Sequence, residues 1–141
     1  MPYYAVIDTN VLVSAMLKWN SVPGNVIRFA FDGTIIPVFN SSILREYREV
    51  LARPKFHFPV EIINDVIEAI ENSGLCVEAD SLEIALPDPK DRVFYEVVME
   101  ERQTEDAYLV TGNIKHFPIE TFIVTPKRML EIIFAGSDAI N

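Results

Sequence analysis

The sequence has few of the features of secreted or membrane proteins. Its single cysteine, Cys76, lies in an apolar stretch and cannot form an internal disulfide, which is typical of a protein kept in a reducing cytosol. There is no uninterrupted run of about 18 apolar residues that could span a membrane. The opening residues MPYYAVID do not join a basic segment to an apolar one. We therefore expect a cytoplasmic protein without a signal peptide or a membrane span.

Positive charge is also scarce. The chain has 12 Lys and Arg residues against 21 Asp and Glu residues, a formal net charge of −9 at pH 7. This balance argues against general electrostatic wrapping of nucleic acid, but it allows an acidic pocket that meets a phosphate through a divalent cation. The histidines, His57 and His116, lack zinc-ligand spacing. No Gly-rich phosphate loop and no Ser/His/Asp or Cys/His nucleophile arrangement is visible.

The apolar residues that are present alternate in a regular order of strands and helices. Half of the 141 residues are apolar, enough for one domain, which we place at residues 1–135 with a polar tail at 136–141. The pattern predicts strands at residues 4–8, 34–39, 75–77, 108–111 and 121–124. It predicts helices at residues 11–16, 26–31, 43–51, 60–72, 89–102 and 127–134.

This alternation predicts an α/β fold with a mostly parallel sheet. Pro37 lies inside the second predicted strand and cannot donate a hydrogen bond to a neighbour. We therefore expect that strand to be short or to lie at a sheet edge. Trp19, Phe56 and Phe58 fall in predicted loops, where they could line an RNA groove, form a dimer contact or close the core.

Asp8 stands at the end of the first predicted strand, directly before a helix. Ligands of open parallel sheets bind outside the carboxyl ends of the strands, which makes Asp8 a candidate site residue. The alternative is that Asp8 only begins the helix, as Asp, Thr and Asn often do.

Two further acids lie on the inward sides of predicted helices. Glu46 borders the apolar stripe of helix 43–51, where a carboxylate needs a partner or a cation. It could instead be a rim residue with a buried stem. Asp91 lies in the first turn of helix 89–102, aligned with Phe94, and the helix dipole alone could favour it there.

Two other polar residues have good structural explanations. Asp88, before Pro89, has the pattern of an N-cap. Asn113 follows strand 108–111 and is an ordinary turn residue. If Asn113 and the three acids Asp8, Glu46 and Asp91 meet in one cleft, the carboxylates repel one another and need a cation. All-oxygen ligands suit Mg²⁺ or Mn²⁺.

The sequence resembles the PIN-domain family of metal-dependent ribonucleases, and within it the small prokaryotic toxins of toxin–antitoxin pairs. The resemblance rests on VIDTNVL at residues 6–12, Glu46, DPKD at residues 88–91 with Phe94, and YLVTGN at residues 108–113. It covers residues from 4 to about 134. It implies a three-layer α/β/α sandwich with a central, mostly parallel sheet of about five strands.

The resemblance also implies an activity and a set of site residues. The activity is Mg²⁺- or Mn²⁺-dependent endoribonuclease cleavage of single-stranded RNA, in which a metal-bound water attacks phosphorus. Asp8, Glu46 and Asp91 would be the catalytic, metal-binding acids. Thr9 and Thr111 would support them through their hydroxyl groups.

Three more residues follow from the same resemblance. Asn10 would help to orient the first helix. Asn113 stands where many family members carry a fourth Asp, and this departure puts a second tightly bound metal in question. Asp88 is an additional candidate metal ligand. The expected partners are an RNA substrate and an antitoxin protein, and a homodimer is left open.

Three other functions remain open at this point. A haloacid-dehalogenase-like phosphatase would need a second Asp two residues after Asp8, where this chain has Asn10. A phosphorylation-receiver module fits Thr125, Pro126 and Lys127 after the last strand but needs an acidic pair at the first strand. A degenerate PIN-like module that mainly binds a protein partner or RNA fits both Asn113 and the net charge.

Overall fold

A computed structural model describes residues 2–140 of the chain, with the side chains of residues 2–136. Its strands form one fully parallel sheet of order β3-β2-β1-β4-β5. The strands are β1 (Tyr3–Ile7), β2 (Ile35–Phe39), β3 (Leu75–Cys76), β4 (Tyr108–Val110) and β5 (Ile123–Val124). The predicted α/β fold with a parallel sheet is therefore confirmed.

Six α-helices flank the sheet in the described part of the chain. They are α1 (Thr9–Leu17), α2 (Val22–Asp32), α3 (Ser41–Leu51), α4 (Val60–Ser73), α5 (Arg92–Glu101) and α6 (Pro126–Ile140). Short 3-10 turns occupy Pro54–Phe56, Pro89–Asp91 and Ile114–His116. Among residues 2–140, no helix combines the length and the apolar character needed to cross a membrane.

The strand order contains one reversal, which decides where a ligand can bind. The chain steps outward from β1 to β2 and β3, then returns past β1 to β4 and β5. Because parallel crossovers are almost always right-handed, this reversal puts α5 on the opposite sheet face from the earlier connecting helices. The carboxyl ends of β1 and β4 thus form the switch point where open parallel sheets bind ligands.

The central strand β1 is also the centre of the core. Ala5, Val6 and Ile7 are buried. Residues 3–5 pair with β2, and residues 5–7 pair with β4. Phe94 of α5 and Leu12 of α1 are fully buried as well. Since β1 cannot shift without disturbing this packing, the residue that follows it, Asp8, is held firmly in place.

The expectation that Pro37 marks a short or edge strand is wrong. The strand β2 has five residues, as many as β1, and it lies between β1 and β3 rather than at the edge. Pairing with β3 begins only at Val38, one residue beyond Pro37. Pro37 is tolerated in this internal strand because the hydrogen bonds between β2 and β3 start after it, so its missing N–H is not needed on that side.

Several element boundaries differ from their predicted positions. The helix α2 begins at Val22, four residues before the predicted start, because Ser21 caps it by accepting a hydrogen bond from the Gly24 N–H. Pro and Gly at its start indicated a loop, yet Pro is favourable in a first helical turn. The backbone of α6 continues to Ile140, past the predicted end at 134. Residue 141 of the expected tail lies outside the described residues, and the proposed domain limits stay a prediction.

The loop aromatics have separate roles. Phe56 and Phe58 stack with ring centroids 5.7 Å apart and pack against the core. Phe56 also lines the cavity that contains Asp8, so closing the core is not its only role. Trp19 stacks on Phe31 with centroids 6.0 Å apart and remains partly exposed.

Candidate active site

Asp8 lies at the switch point, between the ends of β1 and β4. Its backbone N–H donates to the Val110 carbonyl at 2.9 Å, extending the ladder between the two strands. Its side chain is 4% exposed, and its Oδ2 accepts a hydrogen bond from the Thr111 hydroxyl at 2.7 Å. Asp8 does occupy the N-cap position of α1, but its side chain makes no capping hydrogen bond there. Helix capping therefore does not account for its carboxylate.

Asn10 links the two loops that follow these strands. Its amide nitrogen donates to Asp8 Oδ2 at 3.1 Å, and its side-chain oxygen accepts from the Gly112 N–H at 3.0 Å. A Cβ atom at position 112 would lie 3.2 Å from that oxygen, so a glycine suits the close approach. Asn10 thus orients Asp8 as well as the start of α1.

Glu46 is directed toward Asp8 by the packing of α3. The buried residues Ile43, Tyr47 and Leu51 turn one face of α3 to the core, and Glu46 lies at the border of that face. The Thr9 hydroxyl donates a hydrogen bond to Glu46 Oε2. The Tyr47 hydroxyl donates to the carbonyl of Ile7, the residue before Asp8. The helix is therefore joined to the end of β1 at two points.

Asp91 belongs to the 3-10 turn before α5, and it contacts a histidine. Its Oδ2 lies 3.2 Å from Nδ1 of His116 in the turn after β4. Sequence reasoning considered His116 only as a zinc ligand and missed this contact. The two residues are 25 positions apart, and their contact depends on where α5 and β4 lie in the fold, so no local spacing signals it.

Asp88 behaves as its sequence pattern predicts. It is the N-cap of the 3-10 turn, and its Oδ1 accepts a hydrogen bond from the Lys90 N–H at 3.0 Å. Asp88 also faces the cavity described next, so the capping role and a role near a metal are not mutually exclusive.

One cavity of about 380 Å³ brings most of the predicted residues together. Its polar wall contains Asp8, Thr9, Asn10, Glu46, Asp88 and Asp91. Arg53 and Lys90, which sequence reasoning did not select, line it as well. Thr111 is fully buried behind Asp8. Asn113 is exposed and lines a neighbouring cavity with His116, so the structure places it beside the acidic group rather than inside it.

The acids are held in conditions that oppose their ionisation. Burial raises the pKa of Asp8, against the opposing hydrogen bond from Thr111, and the charge of Asp91 raises it further. Burial also raises the pKa of Glu46, with the hydrogen bond from Thr9 opposing it. For Asp91, burial raises the pKa, and the hydrogen bond from His116 opposes that shift. A cation in the cavity would relieve both the desolvation and the repulsion.

The donor set fits a hard divalent cation that keeps part of its water shell. In the described part of the chain, no three Asp, Glu, His or Cys side chains converge tightly enough to hold one ion directly. Mg²⁺ commonly binds one or two carboxylates and retains several waters. Both side-chain hydrogen bonds that Asp8 accepts end on Oδ2, so neither occupies Oδ1. Carboxylate oxygens around an open cavity match the preference of Mg²⁺ for a few carboxylates and several waters.

Comparison with known proteins agrees with this fold. The family model of the PIN domain matches residues 4–115. The chain belongs to the PIN domain family, a family of nucleases whose members typically use divalent metal ions. The resemblance to the PIN-domain family is therefore confirmed, whereas the resemblance to toxins within that family stays a prediction.

The chain is also similar to an uncharacterised protein of Methanocaldococcus jannaschii. The two are 25% identical over an alignment that covers 89% of this chain and 88% of the relative. No solved structure matches the chain significantly.

Proposed function

We propose that this protein is an Mg²⁺- or Mn²⁺-dependent endoribonuclease that cleaves single-stranded RNA in the cytoplasm, as the toxin of a toxin–antitoxin pair. The observation that carries the proposal is that Asp8, Glu46 and Asp91 line a single cavity at the switch point of the sheet. Membership of a nuclease family supports the reaction class. The toxin role rests on the sequence resemblance alone.

Each acid that would hold the metal is oriented by a neighbouring side chain. Asp8, Glu46 and Asp91 would supply the ligands, and Asp88 is a candidate additional one. Thr111 and Asn10 hold Asp8, and Thr9 holds Glu46. When bound, the cation supplies Lewis-acid chemistry: it polarises a phosphate and lowers the pKa of a water.

The pocket itself determines how an RNA backbone can approach. Its acids would repel a phosphate in the absence of a cation, so metal loading and substrate binding should be coupled. The cavity also has an apolar side, formed by Val13, Val50 and Phe56, so both the backbone and a base of the RNA have a surface to contact there.

The direct test is cleavage of a labelled single-stranded RNA at increasing Mg²⁺ or Mn²⁺, with EDTA as the metal-free control. Asp8→Asn keeps the size of the side chain and removes its charge, so it should abolish cleavage while the protein stays folded. Asp65→Asn, on the exposed side of α4, is the matched charge change and should cleave like the wild type. Cleavage that persists in EDTA or in Asp8→Asn would contradict the proposal.

The toxin role has its own test. Expression of the wild type in a bacterial host should stop growth, and expression of Asp8→Asn should not. Co-expression of the protein encoded next to this gene should restore growth and yield a complex on purification. Growth that continues normally despite cleavage-competent protein would contradict the toxin role and leave the nuclease assignment intact.

A second candidate function is a PIN-like module that binds RNA or a protein partner without efficient cleavage. Two observations favour it: Asn113 replaces an acid, and no three acids converge directly in the described residues. RNA binding by the wild type without cleavage at any Mg²⁺ or Mn²⁺ concentration would support it.

A further inference from the structure

A second cavity adjoins the acidic one. The two share Glu46, Val50, Arg53 and Lys90, so they form one continuous groove. Beyond the shared wall, the second cavity reaches Arg45 and Glu49 on the outer side of α3. The groove therefore runs from the carboxylates at the switch point along α3, past Arg53, Lys90 and Arg45.

The distribution of positive charge is uneven in this acidic chain. Six of its 12 Lys and Arg residues fall in two short segments, 45–55 and 90–92, which flank the groove. They are Arg45, Arg48, Arg53, Lys55, Lys90 and Arg92. A protein of net charge −9 does not attract a polyanion as a whole, so any attraction must come from such a local concentration.

Three of these cations are available to a ligand. Arg45, Arg53 and Lys90 have exposed side chains. Within residues 2–136, the ion pairs found at 4.0 Å or less join other residues, His116 with Asp91 and Arg128 with Glu131. Arg48, in contrast, donates a hydrogen bond to Asn64 and is directed away from the groove. Cations left free beside an acidic pocket are well placed for phosphate groups.

We propose that Arg53 and Lys90 bind the phosphates next to the cleaved bond of single-stranded RNA, and that Arg45 continues this path along α3. This inference rests on the proposed nuclease function and assigns its substrate groove. RNA fits the groove better than an acidic peptide does. An acidic peptide offers no phosphodiester to the acids and the cation at the end of the groove, whereas RNA places one there.

The path also makes the proposed RNA contacts asymmetric about the cleaved bond. The cations lie on one side of the acids, along α3 and the turn before α5, so the contacts should concentrate on one side of the cleaved bond. Shortening a substrate from that end should weaken its binding more than shortening it from the other end. Which end it is can be determined with RNAs trimmed by one nucleotide at a time.

The binding test uses a fluorescein-labelled oligouridylate of twelve nucleotides in EDTA, so that no cleavage occurs; the acids weaken binding under this condition, but they do so equally in every variant compared. Arg53→Ala/Lys90→Ala is compared with Lys18→Ala/Lys127→Ala, a control with the same charge change at exposed positions that line neither cavity. A plot of log affinity against log salt has a negative slope. In Arg53→Ala/Lys90→Ala this slope should become less steep by about 1.4, because each phosphate contact to a single strand contributes about 0.7. The control pair should keep the wild-type slope.

Conservative replacement and cleavage kinetics complete the test. Arg53→Lys/Lys90→Arg keeps both charges and should retain the wild-type salt slope. In Mg²⁺, Arg53→Ala should raise KM with a much smaller change in kcat, because Arg53 contacts a phosphate that does not react.

Equal RNA affinity in the test and control pairs would overturn the proposal, and so would tighter binding of oligoglutamate than of RNA. If RNA binding depends on Arg53 and Lys90 but the wild type does not cleave RNA, the groove is still the RNA-binding site and the nuclease function is rejected instead.

Discussion

Thr111 donates a hydrogen bond of 2.7 Å from its Oγ1 to Oδ2 of Asp8, although the two residues lie 103 positions apart in the chain. The bond forms because β1 and β4 are neighbours in register, with Ile7 opposite Val110. Each strand then delivers its next residue to the same point. Thr111 Oγ1 also accepts the Asn113 N–H at 2.9 Å, so one buried hydroxyl holds both the first acid and the turn after β4.

The first prediction concerns this hydroxyl. Thr111→Val keeps the side-chain shape and removes the donor to Asp8, which should cost about 1.5–3 kcal/mol of unfolding free energy at neutral pH. Thr111→Ser keeps the hydroxyl and loses a methyl group, at about 1 kcal/mol. Urea unfolding in EDTA measures both. A Val variant as stable as the Ser variant would show that the hydrogen bond does not hold Asp8.

The second prediction concerns the pH dependence of the metal-free protein. Burial raises the folded-state pKa of Asp8, Glu46 and Asp91 above their ordinary values. At pH values between the ordinary and the raised pKa values, the folded protein binds more protons than the unfolded chain does. Stability should therefore increase as the pH falls through this window and stop increasing below the ordinary carboxylate values.

Asp8→Asn tests that pH dependence. It removes one buried charge and the repulsion from Asp91, so it should raise the metal-free Tm at neutral pH and flatten the rise on acidification. Asp65→Asn, at an exposed site on α4, should leave the profile unchanged. A clearly lower Tm for Asp8→Asn in EDTA would show that Asp8 is needed for folding rather than for binding a cation.

The third prediction separates Asp88 from Asp91. Asp88 caps the turn before α5, so Asp88→Ala should cost about 0.5–2 kcal/mol of stability and retain much of the cleavage activity. Asp91→Ala should lose cleavage with little loss of stability. Urea unfolding and RNA cleavage on both variants decide this. Asp88→Asn, which can still accept the Lys90 N–H, serves as the control and should keep both stability and activity. If Asp88→Ala instead loses cleavage and Asp91→Ala instead loses stability, Asp88 is the metal ligand.

The fourth prediction concerns Asn113, whose role as a metal ligand stays a prediction. It lies with His116 beside the acidic cavity, and His116 contacts Asp91. Asn113→Asp adds a negative charge there, so it should tighten Mg²⁺ binding, lower the metal concentration needed for cleavage and reduce metal-free stability. Calorimetric Mg²⁺ titration measures the first effect. Unchanged affinity would place residue 113 outside the coordination sphere.

The positions that local patterns could predict are those set by neighbours in the sequence. The alternation of apolar segments was enough to predict the α/β class, because periods of two and 3.6 residues record which face is buried. The same periodicity correctly put Glu46 at the border of the buried face of α3. The Asp-Pro pattern correctly predicted Asp88 as a cap, since capping involves only the next few residues.

Tertiary structure decided how the distant parts meet. The order β3-β2-β1-β4-β5 depends on the direction of each crossover, which no local spacing records. That order put Pro37 in an internal strand, joined Asp8 to Thr111, brought His116 to Asp91, and placed Arg53 and Lys90 along one groove. By itself, the sequence determined the strands, the helices and the acids near their ends. Which partner each acid contacts was decided only by packing. The contacts of Asp8 with Thr111 and of Asp91 with His116 join residues that are far apart in the chain and meet only around the buried strand β1.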